Sequence, residues 1–252
     1  MCTVVVLIRP THVVLAANRD ERIDRAWDPP NRWWPDRPGV IAGRDRTAGG
    51  TWMGLNRHGV AAAVLNRPGT LGPAEGKRSR GELPLLALDH PTAASATAAI
   101  GSLDAGVWRE FNMVIADRTG AWFVRGLGAG APQAESLEPG VSMITAHDPN
   151  DFDSPRTARH LPRLRAAEPA DPLDWSGWRA ILADRSGSPA QQINVVPRAG
   201  FGTVCSSYVI LGPGTPLWLF APGPPHVNDF QPVFCGDDSA AISPAPPQAV
   251  TT

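Results

Sequence analysis

Short apolar runs of strand length alternate along the chain with clusters of Pro, Gly and charge. Thr3 to Ile8 is continuously apolar and β-branched, the pattern of a strand covered on both faces. Arg9-Pro10-Thr11-His12 interrupts that run and Val13 to Ala17 resumes it, which predicts a hairpin. A turn centred between Pro10 and Thr11 sets Ile8 opposite Val13 and Cys2 opposite Arg19. Directly opposed side chains of an antiparallel pair have Cβ atoms roughly 5 Å apart. The hairpin therefore carries a thiol, a guanidinium and the Asp20 carboxylate to one sheet end.

The following stretch, Arg22 to Pro38, is crowded with Pro, Trp and charge. It predicts a long loop without a regular element, because each Pro removes a backbone donor. Beside a reactive sheet end such a loop is a lid or a cover for the sheet edge. Val40 to Gly43 reads as a short strand. Thr51 to Leu55 and Val60 to Leu65 then flank a four-residue loop, Asn56-Arg57-His58-Gly59. That register sets Asn66 opposite Gly49 and beside Gly50, where backbone N–H groups and a side-chain amide could meet an oxyanion. Asn66-Arg67-Pro68-Gly69 also suits a plain turn.

Ser79-Arg80-Gly81-Glu82 matches a capping box ahead of a helix towards Asp89, with Pro84 favouring a start near Glu82. Ala93 to Ile100 is a second, Ala-rich helix. Phe111 to Ala116 and Ala121 to Arg125 form another hairpin, and Val141 to Ala146 a strand that runs into an acidic segment. That segment lacks the glycine a calcium loop requires at its sixth position. Ser154-Pro155 opens a helix towards Ala167 that Pro162 should break or kink, its Arg156, Arg159 and Arg163 forming a solvated or substrate-facing side. Trp175 to Ala183 is a further helix, and Gly202 to Leu211 with Pro216 to Ala221 a last hairpin. Residues 1–238 read as one domain, and 239–252, rich in Ala and Pro, as a disordered tail.

Composition narrows the function classes. The 252 residues carry a net charge of −1, which leaves no electrostatic footprint for nucleic acid. No apolar run approaches the roughly 20 residues needed to span a bilayer, and no basic region precedes the first run as in a signal peptide. Three cysteines, Cys2, Cys205 and Cys235, show no metal-like spacing and suit a reducing compartment, so the expected location is cytoplasmic. With no phosphate loop or Rossmann fingerprint, no cofactor is expected. Nine Trp against one Tyr suit a core or a ligand cavity. The sequence carries no signal of oligomeric state.

Position 2 has particular chemistry. A small residue after the initiator permits removal of Met1, and Cys2 would then carry both a thiol and a free α-amine. The amine titrates at roughly 7.7–8.0 and the thiol near 8.5, so one residue would hold a nucleophile and its own general base. A cysteine there also fits a small apolar residue opening a strand; the predicted pairing with Arg19 and Asp20 favours chemistry.

Met1-Cys2-Thr3 and Asn18-Arg19-Asp20-Glu21 resemble the NRDE family, the group of transport and Golgi organisation proteins of the Tango type. So do Gly49 to Gly54, Asn56 to Val60, Ala63 to Pro68 and the closing Phe201-Gly202-Thr203-Val204-Cys205-Ser206-Ser207. The resemblance implies an N-terminal nucleophile hydrolase fold like that of bile-salt hydrolases and penicillin V acylases. That fold is α+β, a four-layer αββα sandwich of two antiparallel sheets. By the same resemblance Cys2 is the nucleophile, Asp20 orients its amine, Asn66 binds the oxyanion, and Arg19 holds the substrate or Asp20. Asn18, Trp52, His147 and Asn150 are the expected substrate-binding residues. Two departures stand out: Ala17 occupies the place of an Arg in the hydrolases, and Val204-Cys205 follows Gly-Thr where many family members have Arg. The function implied is hydrolysis of a linear non-peptide amide. The alternative is a non-catalytic carrier or trafficking protein for an apolar ligand, lipid or haem.

Overall fold

The computed structural model describes residues 2–236, so the tail expected from Ser239 lies outside the described residues. In chain order the strands are β1 (Thr3–Arg9), β2 (His12–Arg22), β3 (Trp27–Asn31), β4 (Val40–Asp45), β5 (Met53–Asn56) and β6 (Ala61–Asn66). Helices α1 (Glu82–Leu88) and α2 (Ala93–Gly101) follow, then β7 (Phe111–Asp117), β8 (Gly120–Gly126), β9 (Gln133–Ser136) and β10 (Gly140–Ile144). The chain closes with α3 (Pro155–Ala166), α4 (Ser176–Leu182), β11 (Phe201–Leu211), β12 (Leu217–Ala221) and β13 (Gln231–Val233). One sheet has the order β10-β1-β2-β11-β12-β13, the other runs β3 to β9 in sequence, and every ladder is antiparallel.

Period-two alternation builds the layers. Val4, Val6, Ile8, Val13 and Leu15 pack against Met53, Leu55, Val114 and Phe123 of the facing sheet. Their neighbours Val5, Leu7, Val14 and Ala16 turn to the other side and pack under α3 and α4, with Leu161, Leu164, Trp178 and Leu182. On the second sheet α1 and α2 cover Val40, Ala62, Met113 and Ile115 with Leu83, Leu88, Ala96 and Ile100. The result is the four-layer αββα sandwich. Because both faces of β1 and β2 are covered, both strands read as unbroken apolar runs. Each such Val, Leu or Ile contributes about 1.5–3 kcal/mol by leaving water.

The first hairpin has the expected register: Ile8 pairs with Val13 and Thr3 with Asn18, which continues to Cys2 opposite Arg19. The β5–β6 hairpin is shifted by one residue. Met53 pairs with Ala63 and Gly54 with Ala62. The turn closes between Asn56 and Val60, with Gly59 at φ +80° and the Asn56 Oδ1 accepting the His58 and Val60 N–H groups. A three-residue loop with a left-handed glycine suits the strand twist better than the expected four-residue loop, and its register points Asn66 at Gly50, not Gly49.

Three further expectations need correction. Within Arg22 to Pro38 an edge strand, β3, does form, with Pro29-Pro30 at a register shift where their missing donors cost no ladder bond. No side chain caps α1; its N-cap is Gly81, and the Ser79 Oγ accepts only the Gly81 N–H. Helix α3 runs through Pro162. Among the described residues no helix is long and apolar enough to cross a membrane.

Candidate active site

The sheet alternation that builds the core also sorts the polar residues at the end of β2. Val13, Leu15 and Ala17 face the second sheet, so Arg19 does too, while Asn18 and Asp20 face α3 and α4. Thiol, guanidinium and carboxylate thus share one sheet end but not one face.

On the inner face Cys2, Arg19, Trp52 and Cys205 line a small cavity of about 20 Å³, walled by Val4, Ala17, Met53, Ala63 and Leu65. Arg19 is only 5% exposed. The Trp52 ring lies over its guanidinium, 4.0 Å from Cζ to the ring centroid, and is braced edge-on by Trp27 at 5.7 Å. Gly43 makes room for that indole, because a Cβ there would sit 2.2 Å from the ring. Nη2 of Arg19 lies 3.7 Å from Asp45 and 3.8 Å from Glu21, which balance its charge. Its Nη1 is buried with no hydrogen-bond partner. A buried, unsatisfied donor costs about 1–3 kcal/mol, a cost that an acceptor bound in the cavity would relieve.

The Cys2 Sγ lies 3.6 Å from the Asp20 carbonyl oxygen. Burial raises its pKa, the Asp20 charge adds to the rise, and Arg19 opposes it. Cys205, paired with Arg19 across β11, is pushed up to about 12 by burial. One strand, β2, separates Cys2 from Cys205, so their backbones lie about two strand spacings, roughly 9.5 Å, apart. That exceeds the reach of a disulfide.

The outer face holds the carboxylate. The Asp20 side chain is fully buried; its Oδ2 accepts from Arg156 Nη1 at 2.9 Å and its Oδ1 from Thr203 Oγ1 at 2.7 Å. Arg156 also donates to Thr3 Oγ1 at 3.0 Å. The arginine expected to be solvated or substrate-facing is therefore buried, and the ion pair spans from β2 to α3.

The other expected binding residues divide. Asn18 has both amide protons committed to the carbonyls of Leu182 and Ile193, at 2.9 Å each, while its Oδ1 accepts from Ser206. It ties β2 to the end of α4 and has no donor left for a substrate. Asn150, at φ +59°, closes the turn after β10: its Oδ1 accepts the Met143 N–H and its Nδ2 donates to Ser142. His147 lies 3.4 Å from Asp151 and lines a separate cavity of about 260 Å³ with Arg156, Gln192 and Arg198. Asn66 ends β6 opposite Phe111, one residue beyond the cavity-lining Leu65, and is half-buried. Among the described residues its side chain makes no hydrogen bond, and it is not one of the residues that line the cavity.

The family model for Transport and Golgi organisation 2 matches residues 1–165. The chain belongs to that family. No curated protein sequence matches it. Among solved structures it resembles the Caenorhabditis elegans N-acylethanolamine-hydrolyzing acid amidase ortholog, at 12% identity and a TM-score of 0.56, over 82% of this chain and 92% of that one. It also resembles a mutant of the conjugated bile acid hydrolase from Clostridium perfringens, at 12% identity and a TM-score of 0.51, over 93% and 97% of the two chains. A second variant of that hydrolase gives 12% identity and a TM-score of 0.52, over 96% and 99%. At such identity these likenesses establish the amidase-like fold alone.

Sequence reasoning missed Arg156, Thr203 and the shared cavity position of Cys205. Thr203 and Cys205 sit in the closing segment quoted for the resemblance, where the bulge between them turns Thr203 to Asp20 and Cys205 to Arg19. Among the described residues no group of three or more His, Cys, Asp or Glu could hold a metal ion.

Proposed function

We propose that the chain is an N-terminal cysteine amidohydrolase acting on a linear non-peptide amide, with Cys2 as nucleophile once Met1 is removed. The observation that carries this reading is the division of charge about the start of β1. The thiol and the unpartnered Arg19 Nη1 line one cavity, and the anchored Asp20 carboxylate lies on the opposite face of the same sheet end. A freed α-amine would sit between them.

The amine takes the thiol proton as Sγ adds to the acyl carbon. Arg19 Nη1 and the Asn66 amide are the donors for the oxygen that becomes negative. As the C–N bond breaks, the ammonium returns the proton to the leaving amine. Water, deprotonated by the same amine, then cleaves the thioester and releases the acid. Asp20, held by Arg156 and Thr203, fixes the amine during both steps. Trp52 and the apolar wall border the acyl carbon on the inner face.

A carrier reading has one observation of its own: burial and Asp20 raise the Cys2 pKa, which disfavours the thiolate. One experiment separates the two. Intact mass measurement shows whether Met1 is removed, and a screen of linear amides is run on wild type, Cys2→Ser and Asn66→Ala. Turnover in wild type that is lost in Cys2→Ser is the expected result. Retention of Met1, or no turnover while an apolar ligand binds equally to all three, refutes the amidase and leaves a carrier.

A further inference from the structure

The cavity at Cys2, about 20 Å³, has room for about one water molecule. Its apolar walls lie on strands of two sheets packed against each other, which leaves them little freedom to part. Any ligand larger than water therefore reaches Cys2 only if a neighbouring, non-strand segment moves. Residues 145–149, directly after β10, are placed to do this. Their base is pinned: the Asn150 N–H donates to the Met143 carbonyl at 2.9 Å, and the Asn150 Oδ1 accepts the Met143 N–H at 2.9 Å. Asn150 makes the return with φ at +59°. The segment is thus a flap with its two ends fixed side by side on the first sheet.

The second sheet holds the flap down. Leu65, Asn112 and Arg125 are direct partners across β6, β7 and β8, so they form one row on the face towards the first sheet. Leu65 is a wall of the cavity. Asn112, the next in the row, donates from Nδ2 to the carbonyls of Thr145 and His147, at 3.1 and 2.7 Å. Arg67 donates from Nη1 to Asn112 Oδ1 at 2.6 Å and to Asp148 Oδ1 at 2.7 Å, and Arg125 pairs with Asp148 Oδ2. The row that starts at the cavity wall therefore runs straight into the groups that clamp the flap. On the first sheet Thr145 follows Ile144, the partner of the cavity-lining Val4.

The clamp has an unequal build. Asn112 is fully buried, whereas the side chains of Arg125 and Asp148 are 31% and 38% exposed. Ion pairs that open to water hold weakly and are screened by salt. Ala146 is buried, but His147, Asp148 and Pro149 are only half-buried, so little apolar surface keeps the flap in place.

We propose that residues 145–149 are a gate beside Cys2, latched to the second sheet through Asp148, and that groups larger than water reach the thiol when this latch is released. The gate does not depend on the amidohydrolase reading, because a carrier would need the same opening.

Site-resolved alkylation with N-ethylmaleimide tests the gate without any turnover. In Asp148→Asn, Cys2 should be labelled roughly tenfold faster than in wild type, the worth of one charge-assisted hydrogen bond. Arg125→Gln should act alike. In wild type, raising salt from about 0.01 M to about 1 M shortens the Debye length from ~30 Å to ~3 Å and should also speed Cys2, with little effect left in Asp148→Asn. Cys205, 1% exposed, reports unfolding and should stay slow throughout. Below the unfolding transition the Cys2 rate should be flat in urea, since a flap exposes little surface, whereas labelling through global unfolding climbs steeply. The pH profile of the Cys2 rate should gain amplitude and keep its midpoint. An unchanged rate, a shifted midpoint alone, or acceleration at Cys2 and Cys205 together that climbs with urea overturns the gate and leaves Asp148 a structural tie.

Discussion

Arg156→Met removes the guanidinium from a carboxylate that has no access to water. The Asp20 side chain is 0% exposed and that of Arg156 is 6% exposed, with 2.9 Å between the paired atoms. Breaking one side of such a pair costs about 3–5 kcal/mol, because the remaining charge stays buried. The Thr203 hydroxyl still donates to Asp20, which places the expected loss nearer the lower figure. For a chain of this size each kcal/mol lowers Tm by about 2–4 °C, so the drop should be roughly 6–12 °C. Asp20→Asn keeps hydrogen bonds but strands the Arg156 charge, and should cost a similar amount. The double variant should cost less than the sum of the two by at least about 1.5 kcal/mol, since neither charge then lacks its partner. Urea unfolding of the four proteins measures this directly. If Arg156→Met costs under about 1 kcal/mol, or the two changes add within about 0.5 kcal/mol, the ion pair does not hold the sheet end to α3. The same variant separates structure from catalysis: on an amide that wild type hydrolyses, loss of amine positioning should lower kcat and leave KM nearly unchanged.

His160 is buried as a neutral ring, its Nε2 donating to the Gln191 carbonyl at 2.8 Å and its Nδ1 accepting from Arg163 at 3.1 Å. Burial lowers its pKa from 6.5 to about 4, so its contribution is complete above 6.5 and is lost as pH falls towards 4; urea midpoints against pH should show this loss in wild type and not in His160→Gln. Gly50→Ala would bring a Cβ to 2.4 Å from the Gly81 carbonyl carbon; about 1–3 kcal/mol of stability should go, and Trp52 fluorescence should shift as the 79–81 segment moves. Thiol labelling near pH 7 should be slow at Cys205 in every form, and faster at Cys2 after Met1 removal than before, since the new ammonium favours the thiolate; equal Cys2 rates refute that activation. Asn66→Ala should lower kcat roughly 10²–10³-fold with little change in stability, and a loss confined to stability would make the residue a turn former.

The first hairpin was legible to the residue because both its strands are apolar on both faces and its turn is short, so one centre fixes every pair. The second hairpin was not. Its loop length depends on whether Gly59 is left-handed, and that one residue decides whether Asn66 points at Gly49 or Gly50. The edge strands β9 and β13 escaped notice for a related reason. Gln133 to Ser136 is exposed throughout, and Gln231-Pro232-Val233 is too short and too polar to show a period. At the site, the pattern of β2 already contained the division of faces. If Ala17 faces the core, alternation sends Arg19 the same way and Asp20 the other. Proximity in sequence suggested one cluster, and the pleat made two.

Arg156 was open to discovery by the same kind of argument. The buried positions of α3 are Arg156, Thr157, His160, Leu161 and Leu164. Leu161 and Leu164 alone define an apolar stripe, and counting back by three and four residues lands on Thr157, His160 and Arg156. Arg156, Arg159 and Arg163, spaced three and four residues apart, do share one side of the helix, and Arg156 stands where that side borders the buried stripe. A charge on a buried stripe needs a partner, and the sheet end beneath α3 offers one in Asp20, whose own neighbour in sequence faces away. The pairing also bears on Ala17, which stands where the hydrolases have an arginine. A guanidinium there would face the inner cavity, the same side as Arg19. This chain instead puts its inner-face guanidinium two residues later, opposite Cys2, and brings a second one to Asp20 from a helix 136 residues away. The two charges that flank the thiol therefore come from different elements, and the inner one is free to meet a ligand while the outer one holds the fold.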